Sequence, residues 1–203
     1  MRKAQISIQK LGQTNSKLET ELADAQTRAD GAEDRGRRKN LSLFGLPERS
    51  EQIVGLTMRQ YIQQKLTAWL NLPPGRVIEI ERVHRSLQPE PARGKPPRPI
   101  LIRFLRFTDV EGIMQAAKDA LAPIKEGEAT LSFRRDLSAG TRKRRKGFNR
   151  AIKVLIQKGA FRGFAHPARL RVYHGGKLEL YDTPEKAEDF ITQQGWELPE
   201  PDT

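Results

Sequence analysis

Ten lysines and arginines crowd into residues 134–158 of this chain: Arg134, Arg135, Arg142, Lys143, Arg144, Arg145, Lys146, Arg150, Lys153 and Lys158, with Asp136 the one acid among them. Such side chains do not break bonds. They attract a polyanion, and counterions released from a nucleic acid supply most of the resulting binding free energy. Groups suited to covalent chemistry are not in evidence. The chain has no cysteine, which removes disulfides and thiolate metal sites. His84, His166 and His174 lie far apart without metal-ligand spacing, and they read as structural or surface residues. Ser132 and Ser138 lack a plausible histidine and acid partner, no acidic cluster has ligand spacing, and neither common phosphate-loop pattern occurs. The expectation is a binding protein rather than an enzyme, with no catalytic residue, no metal site and no cofactor.

The charge is unevenly spread. The first 36 residues hold six basic and six acidic side chains, so the net +12 belongs to residues 37–203. A neutral leading segment on a basic body suggests two tasks, assembly and binding. The 203 residues allow one large domain, or two small ones with an accessory helix. No apolar run approaches the roughly 18 residues that cross a bilayer, so a soluble protein without a membrane partner is expected.

Residues 1–35 form a heptad pattern. Met1, Ile8, Asn15, Leu22 and Ala29 fall at position a; Ala4, Leu11, Leu18, Ala25 and Ala32 fall at position d. That stripe reads as a coiled coil, the other reading being one amphipathic helix lying on the body. Asn15 at an a position would fix register. Gly31 and Gly36 should weaken the end of this helix, and the seam begins so early that the coil reads as a piece of a longer one.

Next come a basic connector (35–39), a strand at 41–46, a helix at 51–70 and an alternating strand at 77–83. A proline-rich basic loop covers 86–99 and reads as flexible; the strongest strand signal, ILIRFLRF, covers 100–107. A helix at 108–120 and a strand at 129–133 complete strand, helix, strand, strand, helix, strand, which is the ferredoxin-like order. Beyond it, Ser138 is a plausible N-cap for a helix reaching about Gln157, with Phe148, Ala151, Ile152 and Leu155 on one face and Arg142, Lys146, Asn149 and Lys153 on the other. A hairpin at 170–181 turns at His174-Gly175-Gly176, Thr183-Pro184 opens a last helix to about Gln193, and 199–203 reads as a tail. The fold class is α+β: a coiled coil at 1–36, a ferredoxin-like domain of RNA-recognition-motif type at 37–134, and a small basic α+β nucleic-acid-binding domain at 135–203.

An RNA-recognition motif stacks bases on aromatic side chains of its two central strands. Here Ser42 stands where the first strand would carry one, and Pro99 and Leu101 occupy the corresponding places of the third. Alternation sets Leu101 and Arg103 on one face and Ile102 and Phe104 on the other. With Phe104 in the core, Arg103 stands on the open face. A platform stripped in this way would bind through charge, with little sequence preference. Phe44 shares parity with Ser42 and either replaces part of the platform or packs.

The segments RRKNLSLFGLPE, RVHR, RPILIRF, DLSAGT and HPARL, in this order, closely resemble the RNA-binding first-open-reading-frame protein of LINE-one (non-LTR) retrotransposons. The resemblance covers about residues 1–193. It implies a homotrimer joined by the coil, binding single-stranded RNA, with single-stranded DNA a further candidate, and acting as a nucleic-acid chaperone. The setting it implies is cytoplasmic ribonucleoprotein particles, with nuclear entry open. Arg28-Ala29-Asp30-Gly31-Ala32-Glu33 is similar to the family's trimer signature, with alanine at both apolar places, and Arg28 and Glu33 could pair between helices. Arg103 matches an RNA-contacting arginine, Asn40 an asparagine opening the first strand, and Arg145 or Lys146 a basic position of the C-terminal helix. The family's arginine two residues beyond that asparagine is Ser42 here. His166 and Arg169 stand in the family's Tyr-Pro-Ala-Lys-Leu segment for the tyrosine and the lysine.

The candidate nucleic-acid-binding residues are thus Arg38, Asn40, Arg103, Arg134, Arg135, Arg142, Arg145, Lys146, Lys153, His166 and Arg169. The candidate oligomerisation residues are Ile8, Leu11, Asn15, Leu18, Leu22, Arg28 and Glu33. Two competing readings are a coiled-coil scaffold recruiting protein partners and a duplex-DNA regulator, the latter lacking a recognition-helix motif.

Overall fold

The computed structural model describes residues 2–73, 75–92 and 94–200, the side chains of residues 2–4 and 6–8 excepted. Met1, Pro74, Arg93, Pro201, Asp202, Thr203 and the side chains of Ala4 and Ile8 therefore lie outside the described residues. The chain is α+β. It divides into two compact units, Asp34–Asp136 and Met1–Glu33 with Leu137–Thr203. The sequence reading cuts after 36 and 134, whereas packing joins most of the first helix to the C-terminal residues. That helix, α1 (Arg2–Arg37), is continuous.

In the unit Asp34–Asp136, β1 (Asn40–Phe44) leads through α2 (Ser50–Ile53) and α3 (Met58–Trp69) to β2 (Ile80–Arg85) and β3 (Ile100–Phe104). Then come α4 (Phe107–Asp119), a small hairpin of β4 (Lys125–Glu126) and β5 (Ala129–Thr130), and β6 (Ser132–Arg135). The sheet order is β2-β3-β1-β6 with all neighbours antiparallel, the ferredoxin-like arrangement. Period-2 alternation turns Leu41, Leu43, Ile100, Ile102, Phe104 and Phe133 to one face. There they are buried with Tyr61, Ile62 and Leu66 of α3 and Val110 and Ile113 of α4.

Several boundaries depart from the sequence reading. The helix expected at 51–70 is two helices: Gly55 takes φ of 69°, and Thr57 then starts α3 with a capping box closed by Gln60. The last strand starts at Ser132 because Ala129 and Thr130 pair with Glu126 and Lys125 instead. Strand β2 begins at Ile80, not Val77, and its register shifts between Ile80 and Arg82. The loop read as flexible is clamped at its mouth. Arg98 donates to both Glu48 oxygens through its backbone N–H, Nε and a terminal nitrogen at 2.8–3.2 Å, and Arg85 Nε lies 3.2 Å from Glu48. Hydrogen bonding from Arg98, aided by the charge of Arg85, holds the Glu48 carboxyl below its ordinary range against the effect of burial.

The remaining unit adds α5 (Ala139–Gly147), α6 (Asn149–Gln157), β7 (Phe161–Ala165), β8 (Arg169–His174), β9 (Lys177–Tyr181) and α7 (Pro184–Gln193). The helix expected from Ser138 to Gln157 is broken at Phe148, which is buried. Ser138 does cap: its Oγ accepts from the Thr141 backbone N–H at 3.1 Å. The strands form one sheet, β7-β8-β9. Leu170 and Val172 point to the helices and are buried with Ala151, Val154, Leu155, Ala187 and Ile191. Strand β7 is absent from the sequence reading because Gly163 interrupts a short run that carries a register shift. The expected tail is partly docked, Pro199 O accepting from Arg150 Nε at 3.1 Å.

Contact within this unit also explains why α1 runs through Gly31. Asp30 accepts from an Arg144 terminal nitrogen at 2.8 Å and lies against Gly140. A Cβ at Gly140 would come within 2.0 Å of the Asp30 carboxylate. Tertiary packing here outweighs the helix cost of a glycine, about 1 kcal/mol.

One polar knot pins the β4–β5 hairpin to α3. Tyr61 Oη and Trp69 Nε1 each donate to Glu126 at 2.7 Å, and Lys65 Nζ lies 2.6 Å away. Burial, then the Glu126 hydrogen bond, pushes the Tyr61 phenol up to about 12. For Glu126 burial acts upward, but hydrogen bonds from Lys65, Trp69 and Tyr61 outweigh it, leaving the carboxyl below its ordinary value of 4.5. A carboxyl depressed by folding adds stability above its unfolded pKa and loses it as pH falls through the folded one. The stability difference between wild type and Glu126→Gln should therefore be full above about pH 4.5 and shrink below it, as read by urea unfolding at stepped pH.

Candidate nucleic-acid interface

One face of the β2-β3-β1-β6 sheet is filled by the core and the other carries basic side chains. Cross-strand register sets Arg82, Arg103 and Asn40 in one row and His84, Leu101, Ser42 and Arg134 in the next. Arg103 thus stands on the face opposite Ile102 and Phe104. Its charge is not isolated, since Nε donates to Glu81 Oε1 at 3.0 Å. Arg134 stacks its guanidinium 4.9 Å from the Phe44 ring centroid, within cation–π range. Phe44 is half-buried with a cation on its ring, His84 is the other ring of these rows, and Ser42 and Leu101 supply none.

The other candidates of this unit stand elsewhere or are held by a neighbour. Arg135 pairs in register with buried Leu41, so it projects toward the helical side, where it lies 5.9 Å from the Phe107 ring and 4.0 Å from Glu111. Arg38 flanks the same ring at 5.8 Å. Adjacent positions of one strand face opposite ways, so Arg134 and Arg135 do not share a surface. Asn40 is tied down: its Nδ2 donates to buried Asp136 at 3.1 Å, beside Arg37 at 2.9 Å from both carboxylate oxygens. Within the DLSAGT segment, Asp136 receives these donors, while Ser138 and Thr141 form a buried helix cap.

In the unit containing α5–α7, Arg142 and Lys146 are exposed on α5, and Lys153 is exposed on α6 beyond the break. The three do not form the stripe of one straight helix. Arg145 turns inward: Nε donates to Pro167 O at 2.8 Å, and its guanidinium sits 4.9 Å from the Phe164 ring. The HPARL segment opens with a cis His166–Pro167 bond. His166 and Arg169 are exposed, while Ala168 and Leu170 are buried. Arg145 therefore supports the turn that presents His166, and Lys146 is the neighbour facing solvent.

Along α1 the described seam leucines have no cover within the chain: Leu11, Leu18 and Leu22 are 68%, 57% and 59% exposed. Asn15 Nδ2 donates to Glu19 at 3.2 Å on the same helix. Arg28 and Glu33 are exposed, and Ile8 is among the side chains outside the described residues. Among the described residues no group of three or more histidine, cysteine, aspartate or glutamate side chains is placed to hold a metal ion, and no helix is long and apolar enough to cross a membrane.

Arg82 is the main omission of the sequence reading. Strict alternation from Ile80 puts Arg82 on the core side; the shift at Glu81 turns it outward, opposite Arg103. A charged Glu-Arg pair inside an otherwise alternating strand was the available signal. Because Arg145 is partly buried between Phe164 and Pro167, Arg145→Ala should cost about 1–2 kcal/mol from the lost hydrogen bond and ring contact. Lys146→Ala should stay within about 0.5 kcal/mol of wild type. Paired urea titrations check both.

No family model matches the chain. It is 24% identical over 188 residues, 92% of its own length, to the LINE-1 type transposase domain-containing protein 1 of Mus musculus. To the protein of the same name from Homo sapiens it is 25% identical over 158 residues, 75% of its length. The chain spans 23% and 17% of the length of these relatives. These distant matches support a relation to LINE-1 proteins.

Proposed function

We propose that this protein binds single-stranded RNA with low sequence preference, assembles as a homotrimer through α1, and acts as a nucleic-acid chaperone in the ribonucleoprotein of a retrotransposon. The observation that carries the reading is the open face of the four-stranded sheet, which Arg82, Arg103 and Arg134 share, with Arg134 against the Phe44 ring. Guanidinium groups neutralise phosphates and stack on bases, while so few rings offer little base-by-base readout. The other unit has exposed basic residues of its own, Arg142, Lys146 and Lys153. Single-stranded DNA is the second substrate class, and cytoplasmic ribonucleoprotein particles are the proposed setting. No catalytic step is assigned to any residue.

Affinity for an oligouridine should fall steeply with salt and barely change with sequence at equal length. Arg103→Ala should weaken binding by about 1 kcal/mol or more and lower the salt slope by about one. Glu81→Gln, which releases Arg103 from its ion pair, should strengthen binding. Fluorescence anisotropy at several salt concentrations reads all of these, and a flat salt response overturns the proposal.

The exposed seam supports the assembly half of the reading. Leu11, Leu18 and Leu22 together would leave a hydrophobic stripe in water unless other copies cover it. Replacing all three with Gln should yield a monomer in sedimentation equilibrium that still binds a short RNA, with weaker binding to long RNA as avidity is lost. The same variant tests the scaffold alternative. Deleting residues 1–36 would be a poor substitute, because it also removes Asp30 from Arg144.

A further inference from the structure

The sheet β7-β8-β9 has a second face, turned away from the core that Leu170 and Val172 join. Along β8, Arg169, Arg171 and Tyr173 alternate with buried Leu170 and Val172 and are exposed. In register on β9, Leu180 stands beside Arg171 and Leu178 beside Tyr173. From β7, Arg162 reaches over the Tyr173 ring, its guanidinium 5.3 Å from the centroid. Tyr173, Leu178 and Leu180 are 44%, 57% and 45% exposed, so a contiguous apolar and aromatic patch faces solvent.

The arginines decide what would cover it. Positions 162, 169, 171, 173, 178 and 180 hold three guanidinium groups and no carboxylate. An apolar protein partner would bury those charges unpaired, at a cost of several kcal/mol each. A single-stranded nucleic acid meets all the features at once: phosphates for the arginines, base faces for tyrosine, leucine and the held guanidinium. Arg162 is pre-set for that role, because one terminal nitrogen donates to Gly159 O and Phe161 O, both at 2.9 Å.

We propose that this face is a base-stacking platform for single-stranded nucleic acid, with Tyr173 as its central ring and Arg162, Arg169 and Arg171 as its phosphate and stacking partners. It supplies in the C-terminal unit the aromatic contact that Ser42 and Leu101 deny the four-stranded sheet. The inference rests on the proposed nucleic-acid binding and adds a site to it.

The test uses the full chain and a fluorescein-labelled oligouridine. Tyr173→Ala should weaken binding about tenfold or more, the loss expected for one stacked base, with an unchanged melting temperature. Tyr173→Phe should bind like wild type, and Arg171→Ala should lower the salt slope by about one. With 4-thiouridine in the same RNA, ultraviolet light should crosslink the wild-type chain at the tryptic peptide of residues 172–177, a readout that needs no variant. Unchanged affinity of Tyr173→Ala with no adduct on that peptide, while Arg103→Ala still loses affinity, overturns the platform and leaves RNA binding standing. Loss of self-association in Tyr173→Ala with RNA affinity intact also overturns it, marking a protein interface. Failure of the wild-type chain to bind the oligouridine removes both.

Discussion

Burial of one carboxylate organises the Asp34–Asp136 unit. Asp136 is 6% exposed and accepts from Arg37 at the end of α1 and from Asn40 at the start of β1. An isolated anion at that depth would be costly, so the pairing is obligatory and three chain segments must converge on it. With the Asp136 backbone N–H also directed to Asn40 O at 3.5 Å, β1 and β6 are held in one register. That register sets Ser42 opposite Arg134, and its other edge sets Asn40 opposite Arg103. The surface chemistry of the sheet thus depends on an ion pair at its rim.

The two sheets meet different demands with similar means. Each buries one face under helices and leaves the other to water, as antiparallel sheets commonly do. On the larger sheet, basic side chains outnumber rings and Glu81 tempers Arg103. On the smaller, a tyrosine and two leucines lie among arginines. The first is suited to holding a backbone by charge, the second to holding bases by contact.

Much of this was legible in the residues. Alternation in ILIRF fixed which side of β3 meets the core, and Thr183-Pro184 marked the start of α7 at the right residue. The ferredoxin-like order followed from the succession of strand and helix signals. Other features were hidden because they depend on partners distant in sequence. Nothing near Gly31 shows that Asp30 will find Arg144, and the break after Gly147 is masked by an apolar period that continues across it. The candidate site was legible as a set of charges more than as a surface: neighbouring Arg134 and Arg135 point to opposite sides, and Arg145 is spent on Pro167. The exposed face of β8 was hidden for a similar reason. Arg-Leu-Arg-Val-Tyr alternates like any half-buried strand, and its outer side becomes a patch only when β7 and β9 bring Arg162, Leu178 and Leu180 beside it.

The irregularity at Glu81 bears on how this sequence can change. It inserts one residue between Ile80, opposite Phe104, and Arg82, opposite Arg103. Loss of that one residue would leave Ile80 inside, Arg82 outside and Val83 inside, in the pairing they already hold, as a regular strand. The length of β2 at this point can therefore vary by the bulged residue, while the inward and outward identities on either side of it are the part that the core and the open face constrain.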